Sequence, residues 1–171
     1  MTIVFDPRAG LALRPITVQL AGYRYEIRAA AAEVWLEAWV TGGAGRVMAA
    51  MITHPADRYR YYSDLSTGRL RPESALEGSR RLFGQAAGCE WWVADNLALH
   101  AVNWSGVGGE LYTQGLRPST VPLGVWLAGA YRVVMASVKP DDRAAVEASL
   151  AMPPAGYHTG ELPRSIDQFI T

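Results

Sequence analysis

The stretch from Cys89 to Leu150, C89EWWVADNLALHAVNWSGVGGELYTQG115 followed by L116RPSTVPLGVWLAGAYRVVMASVKPDDRAAVEASL150, decides the fold class. Three tryptophans, Trp91, Trp92 and Trp104, fall in its opening segment, and Trp126 falls in its second helical pattern. From Cys89 to Trp104 the spacing places Trp91, Asp95, Leu99 and Val102 on one helical face. Val93, Leu97 and Trp104 then fall on nearly the opposite face. A helix that is apolar on two sides is expected between neighbours rather than at the surface. Ser105 to Gly109 reads as a turn, followed by a short Glu110–Gln114 segment and a stop at Gly115. The next helix starts at Thr120 or Val121 with Pro122 early in it. Its seam is Leu123, Trp126, Leu127, Ala130, Val134 and Ser137, with Arg132 on the far side. Pro140-Asp141-Asp142 opens a last helix, where the acids sit well against the helix dipole. That helix reaches about Leu150, and Pro153-Pro154 ends regular structure.

Working outward toward the N-terminus, residues 1–14 read as an irregular lead-in. Pro15 to Arg28 then alternates with period two. A two-residue loop, Ala21-Gly22, would pair Leu20 with Tyr23, Val18 with Tyr25 and Ile16 with Ile27. That register puts all six apolar residues on one face. From Ala29 the period becomes helical. Trp35, Leu36 and Trp39 cluster, with Glu33 and Glu37 turned away, until Gly42-Gly43-Ala44-Gly45. Further helices are expected at Arg46–Thr53, at Ala56–Leu65 with Tyr59, Tyr62 and Leu65 in line, and from Pro72 to Ala87 with Gly88 closing it. The expected fold class is therefore mainly α. A single domain over 15–152 carries an N-terminal hairpin at about 15–28, and an extended tail covers 153–171.

Composition narrows function. The 171 residues hold 16 Lys plus Arg against 16 Asp plus Glu, and half the residues are apolar. A neutral chain lacks the basic excess of a dedicated nucleic-acid binder. A single cysteine, Cys89, excludes an internal disulfide and leaves no Cys-based metal site. The N-terminus lacks a hydrophobic signal core, and Arg132 interrupts the apolar run from Val121 to Val138. A soluble, intracellular protein without a membrane span is the expectation.

No complete set of catalytic groups stands out. Cys89 and His100 return to one helical face, but the rise of about 1.5 Å per residue would separate them by roughly 16 Å. A nucleophile and its base must come within about 3 Å. His54, His100 and His158 are scattered and form no ligand cluster. Neither glycine group, at 42–45 or at 106–109, is followed by Lys-Ser/Thr, so both read as turns rather than phosphate loops. Glu33 with Glu37, and Asp141 with Asp142, read as solvated surface and helix capping. Asp95, on an apolar face, needs a partner; an indole N–H or an arginine would serve. No enzyme activity, metal or cofactor is therefore expected, although Asp95 in a Trp-lined ligand pocket stands as a competing reading.

The run Asp57-Arg58-Tyr59-Arg60-Tyr61-Tyr62 allows three readings. One is plain packing, with tyrosine inward and arginine outward. Another is a protein interface, where Tyr and Arg are enriched. The third is stacking on single-stranded nucleic acid. The candidate partner-binding residues are Tyr59, Arg60 and Tyr62 here, and Tyr157, Phe169 and Ile170 in the tail.

Trp91–Asn103, Trp104, Gly115-Leu116, Val125-Trp126-Leu127, Tyr131 and Pro153-Pro154 form a pattern that resembles the tail assembly chaperones of long-tailed actinobacterial phages and prophages. The likeness runs over roughly residues 15–155 and includes the hairpin leading into the Trp35 helix. Gly129 departs from the family, which would carry an acidic residue there. The resemblance implies a protein of the host cytoplasm that coats the tape measure protein, keeps it soluble and helps recruit the tail tube protein. Homo-oligomers are compatible with this, and no nucleic acid or membrane partner is implied. The alternative is a structural virion protein, a tail or connector subunit clasping its neighbours through the hairpin and the C-terminal tail.

Overall fold

The computed structural model describes residues 3–6, 16–103 and 105–157. Strands β1 (Ile16–Leu20) and β2 (Tyr23–Ile27) form an antiparallel hairpin in the expected register, Ile16 with Ile27, Val18 with Tyr25 and Leu20 with Tyr23. Ala21 and Gly22 both adopt positive φ, 50° and 77°, as a turn matched to strand twist requires. Beyond β2 the chain is tied to residues 51–53: Arg28 N–H donates to the Met51 carbonyl and Thr53 N–H to the Glu26 carbonyl. An isolated bridge joins Ile27 to Ile52.

Among the described residues eight helices follow in chain order: α1 (Ala32–Gly42), α2 (Ala44–Met51), α3 (Pro55–Ser66), α4 (Pro72–Ala87), α5 (Trp91–Asn103), α6 (Ser105–Thr113), α7 (Leu123–Ser137) and α8 (Arg143–Leu150). A 3₁₀ turn at Pro140–Asp142 leads into α8. Helix α4 has the bounds read from sequence, because Pro72 fits its first turn and Gly88, at φ 72°, supplies the left-handed stop. Helix α5 packs against α1, α4, α6, α7 and α8, which is the central position its two apolar sides implied. Leu99, however, is exposed, so that part of the expected Trp91 face does not enter the core; Trp104 lies outside the described residues. On α7 the seam is buried from Leu123 to Val134, while Ser137 at its end is exposed.

Residues 105–109 are a correction: they are helix, not turn. Val107 and Leu111, one helical turn apart, are both buried. Packing of that pair outweighs the poor helix propensity of the glycines around it. Helices α6 and α7 cross closely at Gly129. A Cβ there would come within 2.6 Å of Leu116 Cδ1 and 2.8 Å of Leu111 Cδ2. A side chain at 129 would have to displace the ends of both leucines. The glycine run at 42–45 splits as a true break, with Gly43 at φ 64° between α1 and α2.

One buried cluster links the hairpin with the helices, from Val18 to Leu150. Ile3 and Phe5 of the irregular lead-in pack against it. Ile3 N–H donates to Glu147 on α8, and Asp6 N–H to the Gly88 carbonyl. The first turn of α1 has no side-chain cap; Ala32 N–H donates to the Val121 carbonyl and Glu33 N–H to that of Pro118.

Candidate partner-binding surface

Helix α3 carries the Tyr/Arg run. Its inward line is Tyr61 and Asp64, not the apolar Tyr59–Tyr62–Leu65 line suggested by the sequence. The Tyr61 ring meets Tyr25 of the hairpin edge-on, with centroids 6.0 Å apart and planes at 88°. The buried Asp64 carboxylate accepts from the Tyr25 hydroxyl at 3.4 Å and faces the Arg69 guanidinium at 3.4 Å. Burial first, and then the Asp64 charge, push the Tyr25 hydroxyl up to about 12. At the start of the helix, the Tyr23 hydroxyl donates to Asp57 at 2.7 Å. These contacts lock α3 onto the hairpin, so whatever the helix turns outward is held on a rigid base.

The outward groups are Tyr59 and Tyr62, at 78% and 54% exposure. Arg60 is exposed as well, but its guanidinium lies 4.2 Å from the centroid of the Tyr23 ring. That cation–π contact holds the charge in place beside the two tyrosines. Tyr59, Arg60 and Tyr62 are brought together on one helix. A shallow depression beside them, of about 480 Å³, is lined by Thr17, Tyr23, Arg24, Glu26, His54 and Asp57.

Tyr157 sits elsewhere and is engaged within its own chain. Its ring packs on Trp91 and Trp92, each at 5.3 Å, and its hydroxyl donates to Glu77 at 3.3 Å. Arg80 lies 4.5 Å from the centroid of the Trp91 ring. Residues 153–157 therefore turn back onto α4 and α5, helped by Gly156 at φ 81° and a Tyr157 N–H bond to the Pro154 carbonyl. Phe169 and Ile170 lie outside the described residues. The slot that receives Tyr157 was missed in the sequence, since Glu77 and Arg80 carry no mark distinguishing them from other charges on α4.

Asp95 accepts from the Trp39 indole N–H at 2.6 Å, and the Trp39 ring stacks on Phe83 at 4.0 Å and 7°. The carboxylate thus has the indole partner that its apolar surroundings demanded. Cys89 precedes α5, and burial followed by the nearby Glu90 pushes its thiol up to about 12, far from nucleophilic range. His100 is exposed near the other end of α5. No group of three or more His, Cys, Asp or Glu able to hold a metal occurs among the described residues. None of the described helices is long and apolar enough to cross a membrane. A groove of about 530 Å³ between α6 and α7, lined by Gly106, Val107, Glu110, Arg132 and Val133 among others, was not marked by the sequence reading.

No protein-family model, curated protein or solved structure matches this chain.

Proposed function

We propose that the protein is a phage tail assembly chaperone that binds the tape measure protein in the host cytoplasm, keeps it soluble and helps recruit the tail tube protein. One observation carries this reading: the Tyr59–Arg60–Tyr62 ridge, exposed yet fixed on a hairpin-braced helix. Aromatic and arginine anchors on a rigid base suit capture of an apolar helical stripe on a partner. The sequence pattern from Trp91 to Pro154 supports the same reading.

The test is co-expression of the full chain with the tape measure protein. A soluble complex is expected. The Tyr59→Ala/Tyr62→Ala variant should bind about 10- to 100-fold more weakly, the range for truncating interface anchors. A tape measure protein that stays insoluble and never associates sinks the proposal. Mass spectrometry of purified particles addresses the virion-subunit alternative: many copies per particle would favour it over the chaperone.

A further inference from the structure

Among the described residues the hairpin leaves one sheet edge unpaired, and its bond pattern says which backbone groups lie on it. Glu26 directs its carbonyl away from β1, since it accepts from Thr53 N–H on the other side. Antiparallel pairing alternates, so Tyr23, Tyr25 and Ile27 bond across to Leu20, Val18 and Ile16. The N–H and C=O groups of Thr17 and Gln19 then point outward from β1. No hydrogen bond joins them to any described residue outside the hairpin. The far edge of β2 is extended by residues 51–53, while β1 ends the sheet. Helix α4 meets β1 through the inward Leu20 side chain on Gly78.

Exposed edges are normally guarded by charge, proline, a bulge or a covering segment. Ile16-Thr17-Val18-Gln19-Leu20 contains no charge and no proline, and its register is unbroken by a bulge. We infer that β1 pairs with β1 of a second copy of this chain, giving a four-stranded antiparallel sheet across a two-fold axis. The strand is self-complementary in this arrangement. With Val18 opposite Val18 on the axis, Thr17 of one copy faces Gln19 of the other, and the outward groups make four backbone bonds. Neutral Thr and Gln side chains meet on the outer face, so no like charges oppose. This dimer uses the hairpin edge and leaves Tyr59 and Tyr62 on α3, so it stands independently of the tape measure proposal.

The experiment is light scattering on the full chain from low to high micromolar concentration, with amide hydrogen exchange of Thr17 and Gln19. A dimer is expected, with both amides protected. Two variants test the edge. Gln19→Pro removes an outward donor while leaving the bonds within the hairpin, and Thr17→Lys/Gln19→Lys sets like charges against each other across the axis. Each should raise the dimer dissociation constant at least about tenfold. Circular dichroism should stay unchanged; if the proline variant misfolds, the lysine variant decides. A chain that is monomeric throughout, or a dimer that persists in the folded variants, overturns the inference.

Discussion

Alanine in place of glycine should have opposite effects in α6 and α7. Gly108 and Gly109 lie inside α6, and a Cβ at either would meet nothing within 4 Å. Alanine there gains helix propensity without a clash. Each replacement contributes roughly 0.5–1 kcal/mol, so Gly108→Ala/Gly109→Ala should stabilise by about 1–2 kcal/mol. For a chain of this size that raises Tm by roughly 3–6 °C. Gly124 is different. Its Cβ would come within 2.8 Å of the Ala87 carbonyl oxygen and 3.3 Å of the Ala87 carbonyl carbon. That neighbour is backbone at the end of α4, held by the left-handed Gly88. It cannot rotate aside as a side chain would, so α7 must shift. Gly124→Ala should therefore destabilise by about 1–3 kcal/mol. Urea unfolding followed by far-UV circular dichroism checks both, through midpoints at constant slope. If the α6 double variant is less stable than the parent, residues 105–109 are not the helix described above and the reasoning fails.

Trp39→Phe keeps an aromatic ring facing Phe83 but removes the donor to Asp95, and should cost about 2 kcal/mol in urea unfolding; a loss near zero would mean the bond contributes little. Glu147 is held below its ordinary 4.5 chiefly by the Tyr131 hydroxyl and then by Ile3 N–H. A carboxylate depressed in the folded state stabilises above its unfolded pKa, and that contribution disappears as pH falls through the folded value. Stability curves of the parent and Glu147→Gln should thus converge below the usual glutamate range; parallel curves across that range would refute the linkage. Cys89 should react slowly with a thiol reagent at pH 8 in the native state and rapidly in urea; equal rates would contradict its burial.

The hairpin was legible because period-two alternation and a two-residue loop admit one register that buries all six apolar side chains. Helix α4 was legible from Pro72 and Gly88, whose backbone preferences mark ends without reference to tertiary contacts. Helix α6 was not, since its propensity is poor and only the burial of Val107 and Leu111 makes it helical. The buried face of α3 was missed for another reason. Its inward line includes Asp64, and a search for apolar periodicity cannot find a stripe containing a carboxylate. Tyr25 and Arg69, which make that carboxylate tolerable, are known only once the chain is folded. Of the candidate site, the closeness of Tyr59, Arg60 and Tyr62 follows from helical spacing alone, whereas the Arg60–Tyr23 contact depends on how the hairpin sits against α3. Tyr157 looked like a free tail residue because its slot is assembled from α4 and α5.

The start of α1 has a consequence for the order of events during synthesis. Its leading amides are satisfied by carbonyls at Val121 and Pro118, almost ninety positions downstream. While a ribosome is still making α2 to α6, those acceptors do not yet exist. The nascent α1 must wait with its first turn solvated, although the partners of Trp39, Phe83 and Asp95, are made before then. Final closure of the N-terminal third is therefore tied to emergence of the segment just before α7. A chain arrested before residue 118 should leave the first turn of α1 frayed, whatever the propensity of its own sequence.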